Sequence, residues 1–155
     1  MKKIFLSLIF AFCHLLAEEI EVSAREFIGD EKKKTTYLKG NVEVKRLQDR
    51  LKANEATIFL NAANRPEKMQ AKGNVQFWLT LEESRKIQGS ANEVIYLPKN
   101  EEYQLIGNVI VREPAKNNEV KGDKIVIRYN EGFINVLGND NKPAKLIFKL
   151  EKKPK

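Results

Sequence analysis

The chain has 155 residues and a formal net charge of +7, with 32% charged and 42% hydrophobic residues. This length predicts one domain, and the balance of charge and hydrophobicity excludes a disordered chain or one made mostly of membrane spans.

The first residues are predicted to be a secretory signal peptide. Met1-Lys2-Lys3 is a short basic start, Ile4 to Leu16 is mostly apolar, and Ala17 is a small residue suited to cleavage before Glu18. The apolar run is too short for a membrane span. A lipoprotein anchor on Cys13 is the alternative, although a large residue, Phe12, precedes that cysteine. We therefore assign residues 1–17 to the signal and expect an exported, periplasmic protein.

Loss of this segment would remove Cys13 and His14, which are the only cysteine and the only histidine of the chain. The mature protein would then lack the side chains needed for disulfides, Cys/His zinc sites and serine–histidine triads. The chain also has no P-loop or dinucleotide fingerprint, and the neighbouring acids of Glu82-Glu83 and Glu101-Glu102 would point to opposite faces of a strand. We predict no catalytic residue, metal or cofactor.

A first strand is predicted from Ile20 to Ala24, where apolar and polar residues alternate, and a charged turn follows it. A Gly-Asn element then recurs at Gly40, Gly73, Gly107 and, in degenerate form, at Gly138, with spacings of 33, 34 and 31 residues. The flanking residues alternate between apolar and polar, which is typical of strands with one buried face. Glycine in such a strand indicates a bulge or a corner.

A second element lies between the Gly-Asn copies. It begins at Ala53-Asn54, Ala91-Asn92 and Gly122-Asp123, and Ala24-Arg25 resembles a worn first copy. Two strand entries in each period predict an all-β fold. We expect a twisted β-jelly roll, or a solenoid-like stack of short antiparallel strands, built from repeats of about 33 residues.

One face of these strands is predicted to be apolar and to point inward. Its members are β-branched, aromatic and aliphatic residues: Val42, Val44, Ala56, Ile58, Val75, Phe77, Leu79, Val94, Tyr96, Val109, Val111, Ile125, Ile127 and Phe148. Such a set forms a filled core or lines a groove for an acyl chain, and the sequence leaves both open. Trp78 falls on the opposite face, as an interface anchor or as part of a covered outer surface.

The C-terminal part is predicted to be a hairpin around Asn130-Glu131-Gly132, a loop beginning at Gly138, and a last strand from Ala144 to Leu150. Residues 151–155 are charged and are expected to be a disordered tail. The folded domain is therefore assigned to residues 18–150.

The repeated Lys39-Gly40-Asn41-Val42 and Lys72-Gly73-Asn74-Val75, with Gly122-Asp123-Lys124, resemble the OstA/LptA family of periplasmic lipopolysaccharide-transport proteins. The resemblance covers about Ile20 to Phe148 and is weakest after Gly138, where the following valine is lost. It implies a jelly roll with a hydrophobic groove for the acyl chains of lipid A. It also implies inner-membrane and outer-membrane transport partners with related domains.

Stacking of such domains end to end would leave the first and last strands as interfaces, with Ile20, Val22, Leu146 and Phe148 as contact residues, and head-to-tail self-association is expected. The alternative is that lysines such as Lys145 and Lys149 keep the C-terminal edge monomeric. Two other functions remain open from the sequence. One is a basic polyanion or nucleic-acid binder. The net charge supports this function, but the predicted signal peptide and the lack of a stacking platform of aromatic residues count against it. The other is a β adaptor that binds only protein.

Overall fold

The structure is a computed structural model that describes residues 19–81 and 84–150. The predicted signal peptide at 1–17 and the predicted tail at 151–155 lie outside the described residues. The described strands are β1 (Ile20–Ser23), β2 (Glu26–Asp30), β3 (Thr35–Arg46), β4 (Asp49–Leu60), β5 (Pro66–Thr80), β6 (Lys86–Leu97), β7 (Glu102–Glu113), β8 (Asn118–Arg128), β9 (Phe133–Leu137) and β10 (Lys145–Ile147). Single 3₁₀ turns at Pro98–Asn100 and Pro114–Lys116 join β6 to β7 and β7 to β8.

The strands form one antiparallel sheet in which β3 to β8 pair in sequence order. β1 and β2 both pair with β3, and β9 and β10 both pair with β8. The two ends of the sheet do not pair with each other, so the sheet is open at an N-terminal edge and at a C-terminal edge. The predicted all-β, jelly-roll architecture is confirmed.

The strands are longer than predicted because the Gly-Asn element lies inside them. β3, β4, β6 and β7 each have 12 residues and β5 has 15. Gly40, Gly73 and Gly107 have φ values of 83°, 84° and 81°, which are readily adopted only by glycine. The asparagine after each glycine also has positive φ, and the pairing register shifts at each of these positions. Each Gly-Asn is therefore a bulge that bends a long strand.

The second sequence element packs against the first across the sheet. A Cβ atom on Gly73 would lie 2.7 Å from Nδ2 of Asn54, and one on Gly107 would lie 2.6 Å from Nδ2 of Asn92. Gly40 contacts the side chain of Arg25 in the same way, so Ala24-Arg25 is a true copy of the second element. The predicted equivalence of Gly40, Gly73 and Gly107 is confirmed.

The fourth copy does not form a bend. Gly138 follows the end of β9, and Asn139 starts a loop in which its backbone N–H donates to the carbonyl of Lys142 at 2.8 Å. This loop separates β9 from β10, as Ala24-Arg25 separates β1 from β2. The outermost strands of the sheet are therefore interrupted at the level where the inner strands bend.

The bends divide the sheet into two layers. The front layer contains β2, β9 and the strand halves paired between them, and the back layer contains β1, β10 and the remaining halves. The inward faces of both layers form one hydrophobic core, in which Leu38, Val42, Val75, Phe77, Val94, Leu105, Val109, Ile125 and Ile127 are the most deeply buried side chains. The bends close one side of this sandwich. The opposite side, where the hairpin turns of the two layers meet, is called the seam below.

Two predictions for the C-terminal segment are wrong. The last strand ends at Ile147 rather than at Leu150, and Phe148, predicted to point into the core, is 55% exposed. The physical reason is the position of β10 at the edge of the back layer. It pairs only with β8, and no described strand lies beyond it to cover its inner face.

The bend geometry gives a stability prediction. Gly73→Ala places a side chain at a positive φ and against Asn54, so we expect the free energy of unfolding to fall by about 1–3 kcal/mol. Gly29→Ala is the matched control, because a Cβ atom there meets nothing within 4 Å and its change should stay within about 0.5 kcal/mol. Urea unfolding measures both. Equal effects at the two positions would contradict the assigned bend.

Candidate functional site

The interior between the layers is the candidate lipid-binding site. The predicted lining residues that are buried there are Val42, Val44, Val75, Phe77, Leu79, Val94, Tyr96, Val109, Val111, Ile125 and Ile127. Ala56 is also buried, and Ile58 is half-buried against the same core. The structure thus brings these residues together, whereas Phe148 lies outside the core.

Most of this interior is filled by side chains. Phe77 is fully buried and packs over Gly89, where a Cβ atom would lie 2.7 Å from its Cζ. A small apolar cleft of about 30 Å³ remains near the seam. Its apolar walls are Ile20, Val44 and Leu51 with Leu79 and Met69. This is the volume of about one water molecule, so side chains fill nearly all of the space between the layers here.

A group of polar residues closes the seam over the cleft. We call Arg46, Asp49, Tyr96, Tyr103 and Tyr129 the seam cluster. Arg46 and Asp49 lie at the β3–β4 turn of the back layer, and the tyrosines lie on β6, β7 and just after β8 in the front layer. The cluster therefore joins the two layers through side chains.

The hydrogen bonds of the cluster are geometrically specific. Nη1 of Arg46 donates to the hydroxyl of Tyr96 at 2.8 Å and to that of Tyr129 at 3.3 Å. The hydroxyl of Tyr103 donates to Oδ2 of Asp49 at 2.9 Å. Asp49 also accepts from Arg46 at 3.3 Å and, through Oδ1, from the backbone N–H of Thr80 at 2.8 Å. Asp49 therefore accepts hydrogen bonds both from its own back layer and from Tyr103 of the front layer.

The aromatic rings add to this arrangement. Tyr96 and Tyr103 stack with ring centroids 4.8 Å apart, and the guanidinium carbon of Arg46 lies 5.2 Å from the ring centroids of both Tyr96 and Tyr129. Burial raises the pKa of Tyr103, and the charge of Asp49 raises it further. Burial disfavours the charge on Arg46, but the surrounding tyrosines outweigh it and raise its pKa. The Tyr103 hydroxyl and the Arg46 guanidinium therefore keep their protons at all ordinary pH values.

Sequence reasoning identified only Tyr96 of this cluster. The available signal was the register of β3, because Arg46 follows Val42 and Val44 at two-residue intervals and so falls on the inward face. An arginine on an apolar face requires a partner when it is buried. The identity of that partner depended on the tertiary structure.

The two edges of the sheet carry the predicted interface residues. Ile20 and Val22 on β1 are half-buried, whereas Leu146 is 61% exposed on β10. β9 and β10 expose apolar side chains on both faces: Phe133, Ile134, Leu137, Leu146 and Ile147. Strands that are apolar on both faces are typical of buried positions in a sheet. In composition, the strands of the C-terminal edge therefore resemble interior strands of a sheet, although no described strand pairs with their outer side.

The charges at the two edges have opposite signs. Glu19, Glu21 and Glu26 lie on or beside the N-terminal edge strands, and Lys145 and Lys149 lie on or beside β10. Opposite charges on two surfaces favour their association and fix its orientation.

Trp78 is partly buried on the outer face, as the register predicted. The guanidinium carbon of Arg50 lies 5.4 Å from its ring centroid, and Nε of Arg50 donates to Glu43 at 2.9 Å. Trp78 is therefore part of a partly covered outer surface. Its use as an interface anchor stays a prediction.

Two carboxylates are buried at the hairpin rims. Nε and Nη2 of Arg85 each donate to Glu113 at 3.1 Å, and this bidentate bond is the main cause that lowers the pKa of Glu113. A hydrogen bond from Gln104, with a second from Arg128, lowers the pKa of Glu102. Both carboxylates are therefore ionised in the folded protein at neutral pH and stabilise it.

Within 19–81 and 84–150, no three or more His, Cys, Asp or Glu side chains group closely enough to hold a metal ion. No described helix is long and apolar enough to cross a membrane.

The fold is thus an open antiparallel jelly roll with an apolar interior and two unpaired edges. Residues 21–133 match the family described as "LptA/(LptD N-terminal domain) LPS transport protein", and the chain belongs to this family. The family is one of transport proteins.

A solved structure has the same fold. It is described as LptH, the LptA-homologous periplasmic component of the lipopolysaccharide transport device of Pseudomonas aeruginosa. The TM-score is 0.74 at 16% identity, and the likeness covers 86% of this chain and 96% of that one. No curated protein sequence is significantly similar to the chain.

The rim pairs predict an acid-dependent loss of stability. The folded pKa of Glu113 is lowered, so its contribution is complete above the unfolded value of about 4.3 and is lost as pH falls through the folded pKa. Arg85→Gln should lower the free energy of unfolding by about 1 kcal/mol at neutral pH, because Arg85 is partly exposed, and should flatten this acid dependence. Urea unfolding between neutral pH and pH 3 measures it. An unchanged acid dependence in the variant would contradict the assignment.

Proposed function

We propose that this protein is a periplasmic carrier that binds lipopolysaccharide and passes it from the inner towards the outer membrane. In this proposal, residues 1–17 are a cleaved export signal and residues 18–150 are the carrier domain. The acyl chains of lipid A occupy the interior, and the phosphates and sugars stay at its solvent-facing mouth, where lysines are available. Family membership and the periplasmic homologue of the same fold support this function. They do not favour the polyanion binder or the protein-only adaptor.

The observation that carries the proposal is the uncapped apolar interior. At the C-terminal end, the inward-facing Ile134 and Leu146 are exposed although their neighbours in the sheet are covered. A monomeric soluble protein rarely leaves such a surface open unless it binds something. An interior that is apolar along its length and open at its end suits a chain of apolar cargo.

The same edge supports assembly with related domains. Exposed backbone groups of β9 and β10 provide a template for strand addition by β1 and β2 of a second copy or of a related domain. Such head-to-tail contact would place Leu146 and Phe148 of one domain near Ile20 and Val22 of the next. It would join the apolar interiors into a longer one, and the contact need not close into a ring. Inner-membrane and outer-membrane transport proteins with related domains are the proposed partners.

A charge inside the cavity tests cargo binding. Phe77→Glu should reduce lipopolysaccharide affinity about tenfold or more, because an unpaired carboxylate in an apolar site is costly. Gln76→Glu adds the same charge on the exposed outer face of the same strand and should leave binding unchanged. Binding is measured by fluorescence titration, with circular dichroism for both variants. A folded Phe77→Glu protein with the affinity of the wild type would refute the proposal.

Because Phe77 is fully buried, a second variant guards against loss of folding. Ile20 is half-buried and lines the cleft from the edge strand, so Ile20→Glu should fold and still weaken lipopolysaccharide binding. Ser23→Glu lies exposed on the same strand and is the control. Equal binding by these two folded variants would also count against the proposed cargo site.

Self-association is tested at the C-terminal edge. Leu146→Asp should shift the monomer–oligomer equilibrium towards monomer by about tenfold or more, since it places a charge in an apolar contact. Ala62→Asp is the control, because Ala62 is exposed on the turn between β4 and β5, and other strands separate these two from both edges of the sheet. Sedimentation across a wide concentration range measures the equilibrium. A wild-type chain that stays monomeric throughout, unchanged by deletion of residues 144–155, would refute self-stacking.

A further inference from the structure

We infer that the seam cluster is a gate through which acyl chains enter the interior from the side. This inference rests on the proposed lipid-binding function. The residues of the seam cluster are not needed to form an apolar core, and this inference gives them a role in the entry of acyl chains. Three kinds of observation support it: the way the layers are joined, the position of the cluster over the cleft, and the chemistry of its contacts.

The two layers are held together differently on their two sides. On the bend side, every long strand passes covalently from one layer to the other. On the seam side, every described strand pairing lies within one layer, so the layers meet there only through side chains. If the two layers separate at the seam, the described backbone hydrogen bonds between paired strands therefore stay intact. The glycines at the bends are suitable hinge positions because they tolerate changes in φ and ψ.

The cluster lies at the cleft. Arg46, Asp49, Tyr96 and Tyr103 line it together with the apolar Leu51, Leu79 and Met69. The side chains of Arg46 and Asp49 are each only 11% exposed. A chain that enters this cleft from the side has to displace the contacts between these residues.

The contacts across the seam are of a kind that opens reversibly. Hydrogen bonds from Tyr103 to Asp49, from Arg46 to Tyr96 and from Arg46 to Tyr129 join the layers. When they separate, water replaces the lost partners, so polar contacts cost far less to open than an apolar seal of the same area. Arg46 and Asp49 also remain paired within the back layer, at 3.3 Å, so opening leaves no isolated charge.

The first test weakens the proposed gate but keeps the aromatic rings of its tyrosines. Tyr103→Phe combined with Tyr129→Phe deletes two cross-seam hydrogen bonds, so we expect the association rate of lipopolysaccharide to rise about tenfold. The dissociation rate should rise by a similar factor, because opening limits both directions, and the equilibrium affinity should change little. Stopped-flow fluorescence with labelled lipopolysaccharide, in a fixed concentration of mild detergent, measures both rates.

Tyr37→Phe is the matched control. The hydroxyl of Tyr37 donates to the carboxylate of Glu55 at 2.6 Å, so this variant also loses a tyrosine–carboxylate bond, but on the outer face of the sheet. It should leave both rates unchanged. If Tyr37→Phe accelerates loading as much as the seam variant, general loosening explains the effect and the gate is refuted.

The second test closes the gate. The β3–β4 turn faces the β6–β7 turn across the seam, because Arg46 and Asp49 contact Tyr96 and Tyr103. Gln48 and Lys99 are exposed on these two turns, and the only native cysteine, Cys13, lies in the predicted signal. Gln48→Cys with Lys99→Cys, joined by a flexible bismaleimide, should slow lipopolysaccharide association about tenfold compared with the same variant capped by N-ethylmaleimide.

The outcomes separate the gate from the proposed function. Failure of the wild-type protein to bind labelled lipopolysaccharide would overturn both. Normal binding with association rates that neither the tyrosine variants nor the cross-link alters would overturn the gate alone and would place loading at the ends of the sheet.

Discussion

The bend at each Gly-Asn pair is the constraint on which the rest of the structure depends. Gly40, Gly73 and Gly107 adopt φ values above 80°, which a residue with a Cβ atom does not readily accept. Each bend lets one strand serve both layers, so a simple meander becomes a sandwich without crossover connections. The partner side chains Arg25, Asn54 and Asn92 fill the space that the missing Cβ atoms leave. At each bend, the positive φ and the close contact of the partner side chain therefore both require glycine.

This construction makes the two sides of the sandwich unequal. The bend side is continuous polypeptide, whereas the seam side is closed by side chains, and the seam cluster is a polar part of that closure. Arg46 is buried among tyrosines and paired with Asp49, which satisfies its charge where the neighbouring surfaces are apolar. In the proposed gate, the seam side parts to admit apolar cargo while the bend side stays continuous.

The open edges follow from the same meander. An antiparallel sheet that does not close ends in two strands with unpaired backbone groups, and soluble proteins usually protect such strands with charges or prolines. Here β10 carries Lys145, but β9 and β10 also carry exposed apolar residues on both faces. Acidic residues mark one edge and basic residues the other, which favours head-to-tail contact over contact between like edges. In the proposed function, interior and edge serve together as a continuous apolar path through successive domains.

The sequence by itself determined the strands, the inward face and the equivalence of the Gly-Asn copies, because alternation and the glycine requirement are local properties of a strand. It predicted the burial of Phe77, Val75 and Ile127 for that reason. The tertiary structure decided the rest. Arg46 meets Tyr96 and Tyr129 across separations of 50 and 83 residues, and such contacts depend on how the bent layers face each other. Phe148 alternates like a core residue but is exposed, because burial requires a neighbouring strand that the edge of a sheet does not have.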